Sequence, residues 1–198
     1  MATNDQMTTT VLLCGVGGQG TILAADVLAR TALAAGVNVK VSEIHGMAQR
    51  GGSVTTVVRF GENVQSMVAD LGSANVIVSF ETTEALRAMP YLAEGGALVV
   101  NDESIKPLPV LTGKASMPAH AREDLAQIGA LLVPADAIAA KSGNAKTGNV
   151  VLLGALSTKL AFPEQCWLDV IATRVPPKTI DANIKAFKAG RAFSEEGE

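Results

Sequence analysis

The feature that most restricts this chain is a short apolar run at residues 11–14. It breaks into Gly15-Val16-Gly17-Gly18-Gln19-Gly20, and a helical pattern opens at Thr21. A continuous apolar run bounded by glycine fits a strand covered on both faces. The glycines permit a turn tight enough to bring backbone N–H groups at a helix N-terminus close to a phosphate or carboxylate. The next segment, TILAADVLARTALAAG, has apolar residues at helical spacing and stops at Gly36, a natural helix terminator. Strand, glycine turn and helix in that order call for an α/β domain.

The alternation continues along the chain. Strands are predicted at 37–42, 53–60, 76–79, 97–100 and 130–133, and helices at 84–92, 135–141, 149–160, 163–171 and 179–189. The proline-rich stretch 106–118 reads as a loop with one edge strand at most. Such a series implies a doubly wound, mostly parallel sheet with helices on both faces. Ligands in such folds bind beyond the C-terminal ends of the strands. The glycine turn, the loop after Ser42 and Asn101-Asp102 all fall on that edge. A mobile tail is expected at 1–10, one domain at 11–192 and a frayed acidic tail at 193–198.

Composition narrows the function. Apolar residues are 48% of the chain and charged ones 18%, enough for a substantial core; the excess fits either apolar surface toward a partner or an alanine-rich core. The net charge of −3, with aromatics at 4%, argues against tracking or stacking on nucleic acid. No run approaches the length of a membrane span, and the polar first ten residues lack the pattern of a signal peptide. A cytoplasmic location is expected. Cys14 and Cys166 stand far apart without CxxC neighbours, so no metal or iron–sulfur site is encoded here. Cys14, at a strand end, reads as a small packing residue.

Several motifs leave alternatives open. The turn could seat a dinucleotide, with Glu43 as the acidic partner at the end of the second strand; it could hold another anion, or be a purely structural turn. The loop Glu43-Ile44-His45-Gly46-Met47-Ala48-Gln49-Arg50-Gly51-Gly52 is expected to serve recognition. His45 could exchange a proton, and Arg50 could clamp a carboxylate or phosphate, or form an interface ion pair. Glu81-Thr82-Thr83-Glu84 reads as a helix start capped by threonine. Residues 142–149 could form a second anion-receiving helix start or a purely structural one. No GxSxG elbow, HExxH helix or Walker lysine is present, so no complete catalytic set is expected on this chain.

With GVGGQG at 15–20, SEIHGMAQRGGSV at 42–54, GNVVLLGAL at 148–156 and IDANIKAFKAG at 180–190, the sequence resembles the gamma-type components of 2-oxoacid:ferredoxin oxidoreductases. The GMAQRGG loop resembles most the branch acting on indolepyruvate. The resemblance implies a Rossmann-like three-layer domain that helps to form a shared active site and is inactive alone. It also implies a larger alpha subunit carrying thiamine diphosphate and iron–sulfur clusters, with ferredoxin as acceptor and coenzyme A as acyl acceptor. Gly15, Gly17, Gly18, Gln19, Gly20, Gln49, Arg50 and Gly51 become the candidate cofactor-contacting residues, with His45 and Arg50 on the active-site wall. A subunit for another 2-oxoacid, a nucleotide-binding regulatory or assembly module, and a free-standing dinucleotide-dependent dehydrogenase are the competing readings.

Overall fold

The computed structural model describes residues 8–45 and 52–197. Six strands form one sheet: β1 (Thr8–Val16), β2 (Asn38–His45), β3 (Ser53–Gly61), β4 (Ala74–Ser79), β5 (Leu92–Asn101) and β6 (Leu131–Val133). Their order is β2-β3-β1-β4-β5-β6, with β1, β4, β5 and β6 parallel to one another and β3 antiparallel to both its neighbours. The helices are α1 (Thr21–Ala34), α2 (Thr82–Ala88), α3 (Leu108–Leu111), α4 (Ala121–Gln127), α5 (Ala135–Lys141), α6 (Gly148–Ser157), α7 (Glu164–Arg174) and α8 (Ile180–Glu196).

Alternate residues of the central strands feed two cores, as the two-residue period of a strand requires. Val11, Leu13, Val76, Val78 and Val99 meet α1, α6, α7 and α8 on one face, where Trp167 and Phe187 are wholly buried. Leu12, Cys14, Ile77, Leu98 and Val100 meet α2 and α4 on the other. The result is a three-layer α/β sandwich. Since α1 and α2 follow neighbouring strands β1 and β4 on opposite faces, the winding reverses between those strands. Their C-terminal ends are therefore the place where such a sheet leaves a crevice.

Several features differ from the sequence expectations, among them β2, which continues through residues 43–45, the expected start of the loop, and α4, a helix where none is expected. β1 starts at Thr8, paired with Gly61, so residues 8–10 belong to the sheet, while 1–7 lie outside the described residues. The helix expected over 84–92 ends at Ala88 because Pro90 follows, and one 3-10 turn leads into β5. Gly95-Gly96 lies within β5: the register shifts between Ala74 and Val76, and a Cβ at Gly96 would come within 3.0 Å of Ala74 O. Residues 106–118 contain the short helix α3 and no edge strand. Finally, α8 continues to Glu196, with Ser194 buried against Thr158 (Oγ–Oγ1, 2.8 Å), so the expected frayed tail is the end of a packed helix.

Candidate functional site

The glycine turn is built by close contact. A Cβ on Gly15 would lie 2.8 Å from Phe80 Cβ and 2.7 Å from Gln19 Oε1, which leaves room only for glycine there. Gly20 sits at φ 82°, in the left-handed region, and Asn149 packs directly over it and donates from Nδ2 to Gly20 O (3.4 Å). Gln19 Oε1 accepts from Val16 N–H (2.8 Å), and Gln19 Nε2 donates to Phe80 O (2.9 Å), tying the turn to the end of β4. Gly17 N–H donates to Gly52 O (2.9 Å), which fixes the turn to the start of β3. Gly20, as N-cap of the fourteen-residue α1, supplies no side-chain acceptor, and the first turn carries no acid. That helix end keeps its positive partial charge for an outside group.

Beside the turn lies a cleft of about 470 Å³ at the C-terminal edge of the sheet. Gly18, Gln19 and Phe80 form one wall, and Lys146, Gly148 and Asn149 another. Asn101, Glu103 and Asp136 line the cleft at the ends of β5 and β6. Asn101, 7% exposed, organises this part: its Oδ1 accepts from Ala135 N–H (3.2 Å), and its Nδ2 reaches Asp136 Oδ2 (3.3 Å) and Phe80 O (3.4 Å). The Glu103 and Asp136 carboxyls face each other and share a hydrogen bond. That bond, followed by burial and by the charge of Asp136, pushes the Glu103 carboxyl up from 4.5 to about 7. The Glu103 carboxyl at the edge of the cleft thus takes up a proton near neutral pH.

On the opposite face, Glu81 rather than a threonine caps α2, accepting from Glu84 N–H. The nearly buried Glu84 carboxylate receives Ser53 Oγ–H (2.5 Å) and Arg87 Nη1–H (2.6 Å). Burial pushes the Cys14 thiol up to about 12, with Glu84 and Glu81 adding to the shift and a Ser79 hydrogen bond opposing it. Cys14 is therefore a protonated packing residue and no nucleophile.

Gly18 and Gln19 of the turn share the cleft lining with Lys146, Gly148 and Asn149, and Asn149 packs over Gly20, whereas Gly15 and Gly17 hold the turn against Phe80 and Gly52 and are not among the lining residues. His45 closes β2 opposite Val54. Gln49, Arg50 and Gly51 lie outside the described residues. Glu43 does not take the dinucleotide position: it is exposed on edge strand β2, and β3 separates it from β1. Sequence reasoning missed Glu103 and Asp136, whose only signal was a position just beyond a strand end. Among the described residues no cluster of three or more histidine, cysteine or acidic side chains could hold a metal ion, and no helix is long and apolar enough to cross a membrane.

Comparison with known proteins bears on this geometry. The family model described as pyruvate ferredoxin/flavodoxin oxidoreductase matches residues 10–193. Indolepyruvate oxidoreductase subunit IorB of Thermococcus kodakarensis is 44% identical over 94% of this chain and 96% of its own length. The IorB subunit of Pyrococcus horikoshii is 42% identical over the same shares. Among solved structures, the 2-oxoglutarate:ferredoxin oxidoreductase of Magnetococcus marinus, with 2-oxoglutarate, coenzyme A and succinyl-CoA bound, superposes with a TM-score of 0.74 at 20% identity. It covers 96% of this chain and 31% of that one. A doubly wound sheet with a glycine turn at its reversal point, matched by this family over nearly its whole length, makes the chain a member of the pyruvate ferredoxin/flavodoxin oxidoreductase family.

Proposed function

We propose that this chain is the cluster-free subunit of a thiamine-diphosphate-dependent 2-oxoacid:ferredoxin oxidoreductase that acts on indolepyruvate or a related aryl pyruvate and yields an acyl-CoA. The observation that carries this reading is the 44% identity to an IorB subunit along almost the full length of both chains. A larger alpha subunit would hold the diphosphate and the iron–sulfur clusters, and ferredoxin would take the electrons. Two separated cysteines, one of them buried, agree with clusters held elsewhere.

Coenzyme A brings anionic phosphates together with amides and hydroxyls. The residues of the cleft suit both parts, in different places. The uncapped end of α1 and Lys146 suit an anionic group. The Glu103–Asp136 wall repels phosphate and suits a neutral, hydrogen-bond-donating part instead. This chain's work is then to bind, orient and exclude water, while bonds are made on groups held by the partner.

We assign Arg50 to the anionic part and His45 and Gln49 to the neighbouring wall. An arginine lost from a charged hydrogen bond weakens binding by about 1.5–3 kcal/mol, or roughly 10- to 100-fold. Arg50→Ala in the intact complex is expected to raise the KM for coenzyme A by that factor while the subunits stay together. Unchanged KM and turnover in an intact complex would remove Arg50 from the site.

A further inference from the structure

The acid pair of the cleft is placed by backbone. β5 and β6 run parallel with Asn101 opposite Val133, so Glu103 and Asp136 leave the sheet side by side just beyond the strand ends. Glu103 N–H donates to Asn101 O (2.7 Å), and Glu103 O accepts from Thr82 N–H (2.8 Å) at the start of α2. Asp136 lies against the start of α6: a Cβ on Gly148 would come within 2.9 Å of its Oδ1, and Asn101 Nδ2 stands 3.3 Å from its Oδ2. The partial positive charge of that helix start and the Asn101 amide make Asp136 the acceptor of the pair's hydrogen bond and Glu103 its donor.

Among the described lining residues Lys146 is the one cation. Asp102, next to Glu103, is ion-paired with Arg122 of α4; on α2, Glu84 is ion-paired with Arg87, and Glu81 caps the helix. Lys146 and the turn before α1 line the same cleft as the acids. A cavity of that volume is roughly 10 Å across, so an anion held there lies within about a Debye length of the Glu103 carboxyl. Each negative charge added so near opposes ionisation of Glu103. The protonated pair keeps acceptor oxygens for a neutral donor, so the charged part of a ligand is what tells the two states apart.

We infer that the Glu103–Asp136 pair couples occupation of the cleft by an anionic ligand to uptake of a proton at Glu103, so that the cleft holds this ligand more tightly below neutral pH than above it. This rests on the reading above that the cleft takes the anionic part of coenzyme A. The sign follows from linkage. In the chain by itself the Glu103 carboxyl, hydrogen-bonded to Asp136, loses its proton at about 7. Below that value the pair carries one negative charge, and above it two. A ligand that repels the second charge moves the loss of the proton to higher pH, and so draws a proton from solution when it binds near neutrality. Without Asp136 the Glu103 carboxyl would titrate in the ordinary range, and the ligand would meet one fixed charge throughout.

The test is calorimetric titration of the full chain with coenzyme A, for the wild type, Glu103→Gln and Asp136→Asn, each in two buffers of different ionisation heat. The coenzyme's own phosphate monoester titrates at about 6 with every protein alike, so the readout is the difference between wild type and variants. Relative to Glu103→Gln, the wild-type Kd is expected to rise roughly threefold to tenfold from about pH 6 to about pH 8, as one or two charges at that separation imply. Near neutrality the wild type should take up roughly a quarter to a half of a proton more than either variant. Asp136→Asn should show the same flat ratio to Glu103→Gln, and it decides if the glutamine variant fails to fold. Affinities of wild type and variants in constant ratio across the range would overturn the inference, as would a wild type that releases protons on binding. If only the intact complex binds coenzyme A, the same comparison in the complex decides. Binding by neither contradicts the coenzyme reading of the cleft, and the inference with it.

Discussion

Gln19 uses both ends of its side-chain amide on backbone, one on Val16 and one on Phe80, and so holds the glycine turn against β4. Gln19→Leu removes both bonds and leaves a partly buried carbonyl and N–H unpaired, a loss of about 1–3 kcal/mol. Thermal unfolding should fall by roughly 3–10 °C in a chain of this size; an unchanged midpoint would mean that the turn is held by packing alone. The Glu103–Asp136 pair gives a second expectation at this scale. The Glu103 carboxyl titrates near 7 when folded and near 4.5 when unfolded, so the folded chain holds the extra proton between those values. Its contribution is full below about 4.5 and is lost as pH rises through 7. Melting temperatures across that window should show a downward component that Asp136→Asn removes; parallel curves for the two proteins would contradict the effect of Asp136 on Glu103. The glycines and Gln19 were legible in the sequence because a tight turn can be made by few residue types. Glu103 and Asp136 were not, because only the parallel pairing of β5 with β6 brings them together.

The elements show where tertiary packing decides. α6 and α8 cross with their backbones almost touching. A Cβ on Gly154 would overlap Phe187 O, and one on Gly190 would overlap Val151 O. Neither glycine has positive φ, so backbone approach alone requires them. Gly154→Ala must push the helices apart, at a cost of about 3 kcal/mol or more and on the order of 10 °C in melting temperature. A drop of less than 2 °C would show that the crossing is loose. The helices 135–141 and 163–171 could be placed from their periodicity, and the structure has α5 and α7 there. The antiparallel insertion of β3 between β1 and β2 could not, since period-two alternation marks a strand and says nothing about its neighbours. That insertion is what removes Glu43 from the dinucleotide position.

For the whole molecule, the doubly wound fold and the sheet edge where the cleft lies followed from alternating elements and one glycine turn. The cleft itself required the fold, because it joins residues near 18, 80, 103, 136 and 146 that no local pattern links. The central claim is that this domain works as part of a larger oxidoreductase. Anaerobic capture of the tagged full-length chain from its native extract, followed by indolepyruvate-dependent dye reduction on the same eluate, tests it most directly. The account predicts co-elution of a larger protein containing iron–sulfur clusters and thiamine diphosphate, with dye reduction that requires both indolepyruvate and coenzyme A. A chain recovered alone and inactive, from extract shown to contain that larger protein, would contradict it.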